Sequence, residues 1–323
     1  MTVAAPALAL LLDVDGPVAS PLTRMVKPGI IADLVALGAA GIPIIFNTGR
    51  SDTFIREQVM APMLAAGMPK EMVVHAICEK GAVWFSFTSE GAGPVRVDRE
   101  LTVPQTYGDD IRRLVAEHFA HVMFFDETKR AMVSVEQRVD VPNEEYLREQ
   151  PRFDTQALTL LARHGLPVVL LDHHALVGGS VSQPSAAGEA SGDAGEIHRG
   201  EAGAADDDGH GFRLDPTIIS TDIESVRLGK DLGASRAVEL LAAQGITPRA
   251  WRTVGDSRTD YAMADWLHHN DHQVAHVDVR PADGVPVKPY RILTAADLGL
   301  DARTIHDDAG AAFLRRWLDT VLA

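Results

Sequence analysis

The 323-residue chain is 46% hydrophobic and 23% charged, average values for soluble globular proteins that exclude a wholly disordered or fibrous chain and suit two modest domains. Its 30 basic against 45 acidic residues give a net charge of −15, which repels nucleic-acid backbones and anionic membrane surfaces and argues against both as partners. Cys78 is the single cysteine, so no intramolecular disulfide can form and a reducing, cytoplasmic location is expected.

The N-terminal run Val3 to Leu12 has no positive leader and is too short to span a bilayer. Its Leu8 to Leu12 part predicts a strand buried on both faces that delivers Asp13, Asp15 and Gly16 at its carboxyl end. Helical spacing over Ile30 to Ala40 leads to a second apolar strand, Pro43 to Phe46, and the polar turn Asn47, Thr48, Gly49, Arg50. A helix over Asp52 to Ala66 and a strand over Met72 to Ile77 complete an alternation that predicts a parallel sheet of right-handed crossovers.

From about Gly81 the texture changes to a mixed order. Paired strands are expected at Val83 to Phe87 and Val95 to Val97, a helix at Asp109 to Phe119 and an alternating strand at Met132 to Val139. A helix at Thr155 to His164 and a strand at Pro167 to Asp172 follow. This order predicts a separate α+β unit over residues 81–212, inserted into a core of residues 1–80 and 213–323. Within the insertion, residues 178–211 are rich in Gly, Ala and Ser and carry seven acidic residues against Arg199 alone, so an expanded, disordered loop is expected there. After Thr217 to Val226 the core alternation resumes with helix Gly233 to Ala243, strand Arg252 to Val254, helix Asp260 to Leu267, strand Gln273 to Val277 and helix Ala311 to Leu322.

Several strand ends carry residues suited to chemistry. Asp13 and Asp15 are separated by one residue at the end of the strand, and Gly16 is expected to bend the chain so that they come together. Converging carboxylates repel unless a cation compensates, and a divalent metal is the natural one. A turn role serves the pair equally well. Asp256, in Gly255 to Asp260, would lie at the same carboxyl edge, where ligands bind in open α/β sheets. Asp256 also suits an N-cap, and Asp260 a first-turn dipole partner. Thr48 offers a hydroxyl and a helix-entry amide to an anion, or forms a routine ST-turn. Lys230 precedes a helix, where a solvated lysine is common.

In order, the motifs DVDG, NTGRS, Lys230 and GDSRTD resemble the four motifs of the haloacid-dehalogenase-like superfamily, over residues 6 to 80 and 213 to 280. The resemblance implies a Rossmann-like α/β core with an inserted α+β cap, and a Mg2+-dependent phosphatase acting through an aspartyl-phosphate. It implies Asp13 as nucleophile, Asp15 as acid and base with its backbone carbonyl toward the metal, Asp256 and Asp260 at the Mg2+, and Thr48 and Lys230 on the phosphoryl group. Glu79 to Ala82 resembles the entry to the larger cap of sucrose-phosphate, mannosylglycerate-phosphate and Cof-type phosphatases. A small phosphorylated metabolite, a sugar phosphate first among them, is therefore the expected partner, with Gly49 and Arg50 as candidate substrate contacts. Pro17 and Thr259 depart from the family pattern. A phosphomutase of the same fold and a non-catalytic binding module are the alternatives. His173, His174, His268, His269, His272 and His276 invite a zinc reading, but no cysteine accompanies them and the oxygen-rich acidic set favours Mg2+.

Overall fold

The structure is a computed structural model that describes residues 6–168 and 211–322. The segment 178–211 apart from Gly211, the pair His173 and His174, and most of the strand expected at Pro167 to Asp172 lie outside the described residues. The chain divides into two compact units, one formed by Met1–Thr102, Glu127–Met132 and Arg227–Ala323, the other by Val103–Asp126 and Val133–Val226. Among the described residues no helix is long and apolar enough to cross a membrane.

In chain order the elements begin with β1 (Ala9–Leu12), α1 (Pro28–Ala39), β2 (Ile44–Asn47), α2 (Asp52–Ile55), α3 (Ala61–Ala65), β3 (Val74–Cys78) and β4 (Val83–Thr88). Short β5 (Gly91–Ala92) and β6 (Arg96–Val97) precede α4 (Gln105–Leu114), β7 (Met123–Phe125), β8 (Val133–Gln137) and α5 (Asn143–Arg163). The chain continues through β9 (Phe212–Pro216), β10 (Ser220–Ser225), α6 (Lys230–Ala243), β11 (Trp251–Gly255), α7 (Tyr261–His269), β12 (Val274–Asp278), β13 (Arg291–Leu293) and α8 (His306–Leu322).

In the first unit a nine-stranded sheet runs β13-β12-β11-β1-β2-β3-β4-β5, with β6 also on β4. β1 is central and parallel to both neighbours: Leu10 is level with Arg252 and Ile44, and Leu12 with Val254 and Phe46. All four residues of β1 are buried, as a strand covered on both faces by helices requires. One side is packed by Ile30, Leu34 and Leu37 of α1 and Phe313 and Leu314 of α8. The other is packed by Ala234, Ala237 and Leu241 of α6 and Met263, Ala264 and Leu267 of α7. α1 opens on Pro28, whose missing N–H costs nothing at that position. The helix expected over Asp52 to Ala66 is interrupted by a π-turn at Arg56–Met60, just before Pro62, which has no N–H to give to the ladder.

The second unit is an antiparallel sheet, β7-β8-β10-β9, whose inner face packs Val133, Val135 and Ile223 on Tyr107, Ile111, Phe153 and Leu161. Its long helix α5 begins twelve residues before the expected Thr155. Pro151 forfeits one N–H bond, but the stripe Tyr146, Phe153, Ala157 and Leu161 is buried throughout and carries the helix past it.

Two expected boundaries move. β4 was expected to open the insertion, yet Val83 to Phe87 pair antiparallel with β3 in the large sheet, Val74 level with Phe87 and Cys78 with Val83. Residues from Arg213 to Ser225 were expected in the core, but β9 and β10 pair with each other and β10 with β8 in the second unit. In both cases pairing follows the nearest available strand, which local sequence texture does not reveal.

The core of the second unit gives a direct test. Phe153 is fully buried and meets Phe119 edge-to-face at 5.5 Å between ring centroids. Phe153→Ala is expected to destabilise that unit by about 3–5 kcal/mol, read as an earlier urea transition in far-ultraviolet circular dichroism.

Candidate active site at the carboxyl edge of the large sheet

β1 leads into a tight loop in which Gly16 N–H donates to the Ala19 carbonyl and Ala19 N–H to the Val14 carbonyl. Gly16 has φ +94°, and a Cβ there would fall 2.5 Å from the Asp256 carboxyl carbon. Only glycine meets both demands, and its use brings the Asp13 loop against the end of β11.

Asp13, Asp256 and Asp260 each offer a carboxylate oxygen within 4.8 Å of the others. Lys230, at the first turn of α6, closes the group. Its Nζ lies 2.6 Å from Asp13 Oδ1, 2.8 Å from Asp260 Oδ1 and 2.9 Å from the Asn47 carbonyl. The Asn47 contact is a hydrogen bond, and the two carboxylate contacts are close ion pairs. Asn47 returns the contact, its Nδ2 donating to the Lys230 carbonyl at 2.8 Å, so the end of β2 and the start of α6 are stitched together reciprocally. Lys230 is therefore buried and paired.

Asp260 serves two masters. Its Oδ2 accepts from the Asp256 and Ser257 N–H groups at 3.1 and 3.0 Å and from Ser257 Oγ at 2.7 Å, making Ser257 and Asp260 a capping box. The N-cap is thus Ser257, and Asp256 is left to the site. Thr48, fully buried, accepts from the Arg50 N–H at 3.1 Å, the expected ST-turn, which leaves its O–H hydrogen available to donate.

Asp15 departs from the expected convergence. Its carboxylate takes a two-pronged contact from Arg50, Nε to Oδ2 at 2.8 Å and Nη2 to Oδ1 at 3.0 Å, and it is not one of the three clustered carboxylates. Both residues lie past the end of β1 at Leu12, and Arg50 claims the Asp15 side chain.

Burial dominates the electrostatics. It pushes the Asp13 carboxyl well above the usual range, opposed by Lys230 and reinforced by Asp260 and Asp15. Asp256 is raised to about 6, again chiefly by burial and then by Asp260. Asp260 is also buried, but Lys230 and the Ser257 donors outweigh that and lower it. Burial alone would lower Lys230, yet Asp13 and Asp260 raise it. Fully ionised, three carboxylates and one ammonium leave two negative charges in a confined space. An all-oxygen donor set with that deficit fits one hard divalent cation such as Mg2+.

Sequence patterns gave no sign of the loop's support. Glu79 and Lys80 adopt left-handed backbone, φ 48° and 53°, and their N–H groups bond the Arg50 and Thr48 carbonyls. The buried Glu79 carboxylate gathers the N–H groups of Arg130, Ala131 and Met132. Arg130 forks onto buried Asp52, and Lys129 Nζ donates to the Gly49 carbonyl at 2.6 Å. Segment Glu127–Met132, eighty residues from the Thr48 turn in sequence, thus belongs to the first unit. Of the histidines, His276 sits inside β12, buried, bonded to Thr253 Oγ1 at 2.8 Å and lowered to about 4 by burial. His268 and His269 end α7.

No protein-family model and no curated protein sequence matches the chain. Solved structures do. A haloacid dehalogenase-like hydrolase from Bacteroides thetaiotaomicron aligns over 96% of this chain and 98% of its own, at 11% identity and TM-score 0.53. A protein from Thermoplasma acidophilum aligns over 97% and 98%, at 11% identity and TM-score 0.50. A trehalose-6-phosphate phosphatase from Aspergillus fumigatus aligns over 97% and 94%, at 15% identity and TM-score 0.46. The chain has the haloacid-dehalogenase-like fold, a parallel-dominated core sheet flanked by helices together with an antiparallel sheet of its own unit.

Asp256 allows a pH test. Burial raises it to about 6 from the ordinary carboxylate value of 3.8, so the native state holds the extra proton between those values and stability of the metal-free protein falls as pH rises through that window. Asp256→Asn is expected to stabilise the metal-free protein at pH 7 by on the order of 2–3 kcal/mol, the gain shrinking as pH approaches 4. Thermal midpoints in chelator at both pH values check it.

Proposed function

We propose that the protein is a cytoplasmic, Mg2+-dependent phosphomonoesterase that hydrolyses a small phosphorylated metabolite, in the first place a sugar phosphate. The observation that carries this reading is the meeting of Asp13, Asp256, Asp260 and Lys230 at one edge of the sheet, in the order of the four motifs. The sugar-phosphate class is supported by the resemblance of those motifs and of Glu79 to Ala82 to sugar-phosphate phosphatases.

Asp13, with Asp256, would hold the Mg2+, and Asp260 would orient that shell. The ion supplies Lewis-acid neutralisation of phosphoryl charge. The chain's own residues carry the transfer. An Asp13 carboxylate oxygen forms a bond to phosphorus as the bond to the leaving oxygen breaks, and Asp15 gives that oxygen its proton. Asp15, now a carboxylate, takes a proton from water, whose oxygen attacks phosphorus and frees Asp13. In this structure Arg50 holds Asp15 by both oxygens, and one of them must leave Arg50 for Asp15 to carry the proton it gives. Lys230 opposes the effect of burial on Asp13 and offsets charge on the phosphoryl oxygens. Thr48 donates its remaining hydrogen to those oxygens, alongside the backbone at Gly49.

Water as acceptor separates this from a mutase. With p-nitrophenyl phosphate and Mg2+ and no sugar present, the wild-type protein is expected to release phosphate, and Asp13→Asn to reduce kcat at least 1,000-fold. Retained turnover in that variant would remove Asp13 as nucleophile, and an inactive wild type across a panel of phosphorylated metabolites would favour a binding module. Arg50→Gln is expected to lower kcat and shift the pH-rate profile, because Asp15 loses its fixed partner; an unchanged profile would detach Arg50 from Asp15.

A further inference from the structure

We propose that His306, at the start of the C-terminal helix and outside the region of family resemblance, is a positioning residue for the metal site: its buried Nδ1, without a hydrogen-bond partner among the described residues, donates to one Asp256 carboxylate oxygen once the other is given to a cation, and so fixes that side chain's rotation. The proposal rests on reading Asp256 as a metal ligand. His306 Nδ1 lies 3.3 Å from Asp256 Oδ2, and each side chain is only 21% exposed. A carboxylate that gives one oxygen to a cation keeps free rotation about its last bond unless its other oxygen is held, and a ring N–H on that oxygen removes the freedom.

The backbone shows that this placement is maintained against a local preference. His306 has φ 53°, a left-handed conformation that is unfavourable for a residue with a Cβ and persists only where surrounding contacts enforce it. Those contacts are present. The His306 N–H donates to the Val279 carbonyl at 2.8 Å. Lys27 Nζ lies 2.9 Å from Asp307 Oδ2 and 2.5 Å from Asp308 Oδ1. At Gly310 a Cβ would fall 1.9 Å from the Pro17 carbonyl oxygen, so the first turn of α8 lies directly on the loop that follows Asp13. The same turn thus touches the Asp13 loop, the end of β12 and Asp256. Asp256 is anchored through its main chain as well, its N–H to Asp260 and its carbonyl to Arg280 Nε at 3.1 Å, while His306 acts on the carboxylate.

Two substitutions separate positioning from support. His306→Gly accepts the left-handed backbone and removes the ring, whereas His306→Asn accepts it and places an amide N–H near the position of Nδ1. Metal affinity is read without substrate, from the electron paramagnetic resonance signal of free Mn2+ in a titration of the full chain. The glycine variant is expected to bind Mn2+ about 10-fold or more weakly, the asparagine variant to recover most of that loss, and both to keep the wild-type thermal midpoint within a few degrees. A glycine variant with wild-type affinity would overturn the proposal. Equal weakening in both variants together with a lowered midpoint would also overturn it, by showing a merely structural role. A wild-type protein that binds no Mn2+ would instead refute the metal-site reading on which the proposal stands.

Discussion

The site is organised around one buried ammonium. Lys230 bridges Asp13, Asp260 and the Asn47 carbonyl, and so ties together the ends of β1 and β2, the turn after β11 and the first turn of α6. An ion pair removed from water is expensive, and here one ammonium lies within 2.9 Å of three oxygens. The arrangement leaves the carboxylates in excess over the cation, which is why burial lifts Asp13 and Asp256 while Asp260, served by Lys230 and the Ser257 donors together, is lowered. A structural ion pair would match its charges; this one keeps an imbalance that a divalent cation and a phosphoryl group can share.

Close approach of backbone is the second constraint. Gly16 lets the Asp13 loop lie against Asp256, and Gly310 lets α8 lie against Pro17. These contacts turn three separately folded turns into one rigid edge. Pro17, a departure from the family pattern, has no N–H, and its carbonyl faces Gly310, so its place in this chain is tied to the packing of the C-terminal helix. Neither Pro17 nor Thr259 displaces any of the charged residues at the site.

The phosphate-side loop is supported differently. Thr48 to Arg50 is held by the left-handed pair Glu79 and Lys80, by Lys129 on the Gly49 carbonyl, and by the Arg130 and Asp52 fork. Buried Glu79 meets its desolvation by accepting three consecutive N–H groups. The backbone that carries Arg50, whose guanidinium meets Asp15, is therefore held from a distant part of the chain, and the acid and base role proposed for Asp15 depends on that support.

Much of this was legible before any coordinates. Continuous apolar runs ending in Asp13, Asn47 and Gly255 specified buried parallel strands, because only a strand covered on both faces can dispense with polar alternation, and the residues just past each run had to lie at one edge. That is enough to nominate Asp13, Thr48, Lys230, Asp256 and Asp260. Tertiary structure decided what those residues do to one another: that Asp15 turns to Arg50 and leaves the carboxylate cluster, that Lys230 is buried, that β4 joins the large sheet, and that Lys129, Arg130 and His306 reach the site. The reason is that periodicity and motif spacing report on neighbours within a few residues, whereas salt-bridge choice, strand partnership and the approach of segments eighty or more residues apart are settled by packing, which no local pattern encodes.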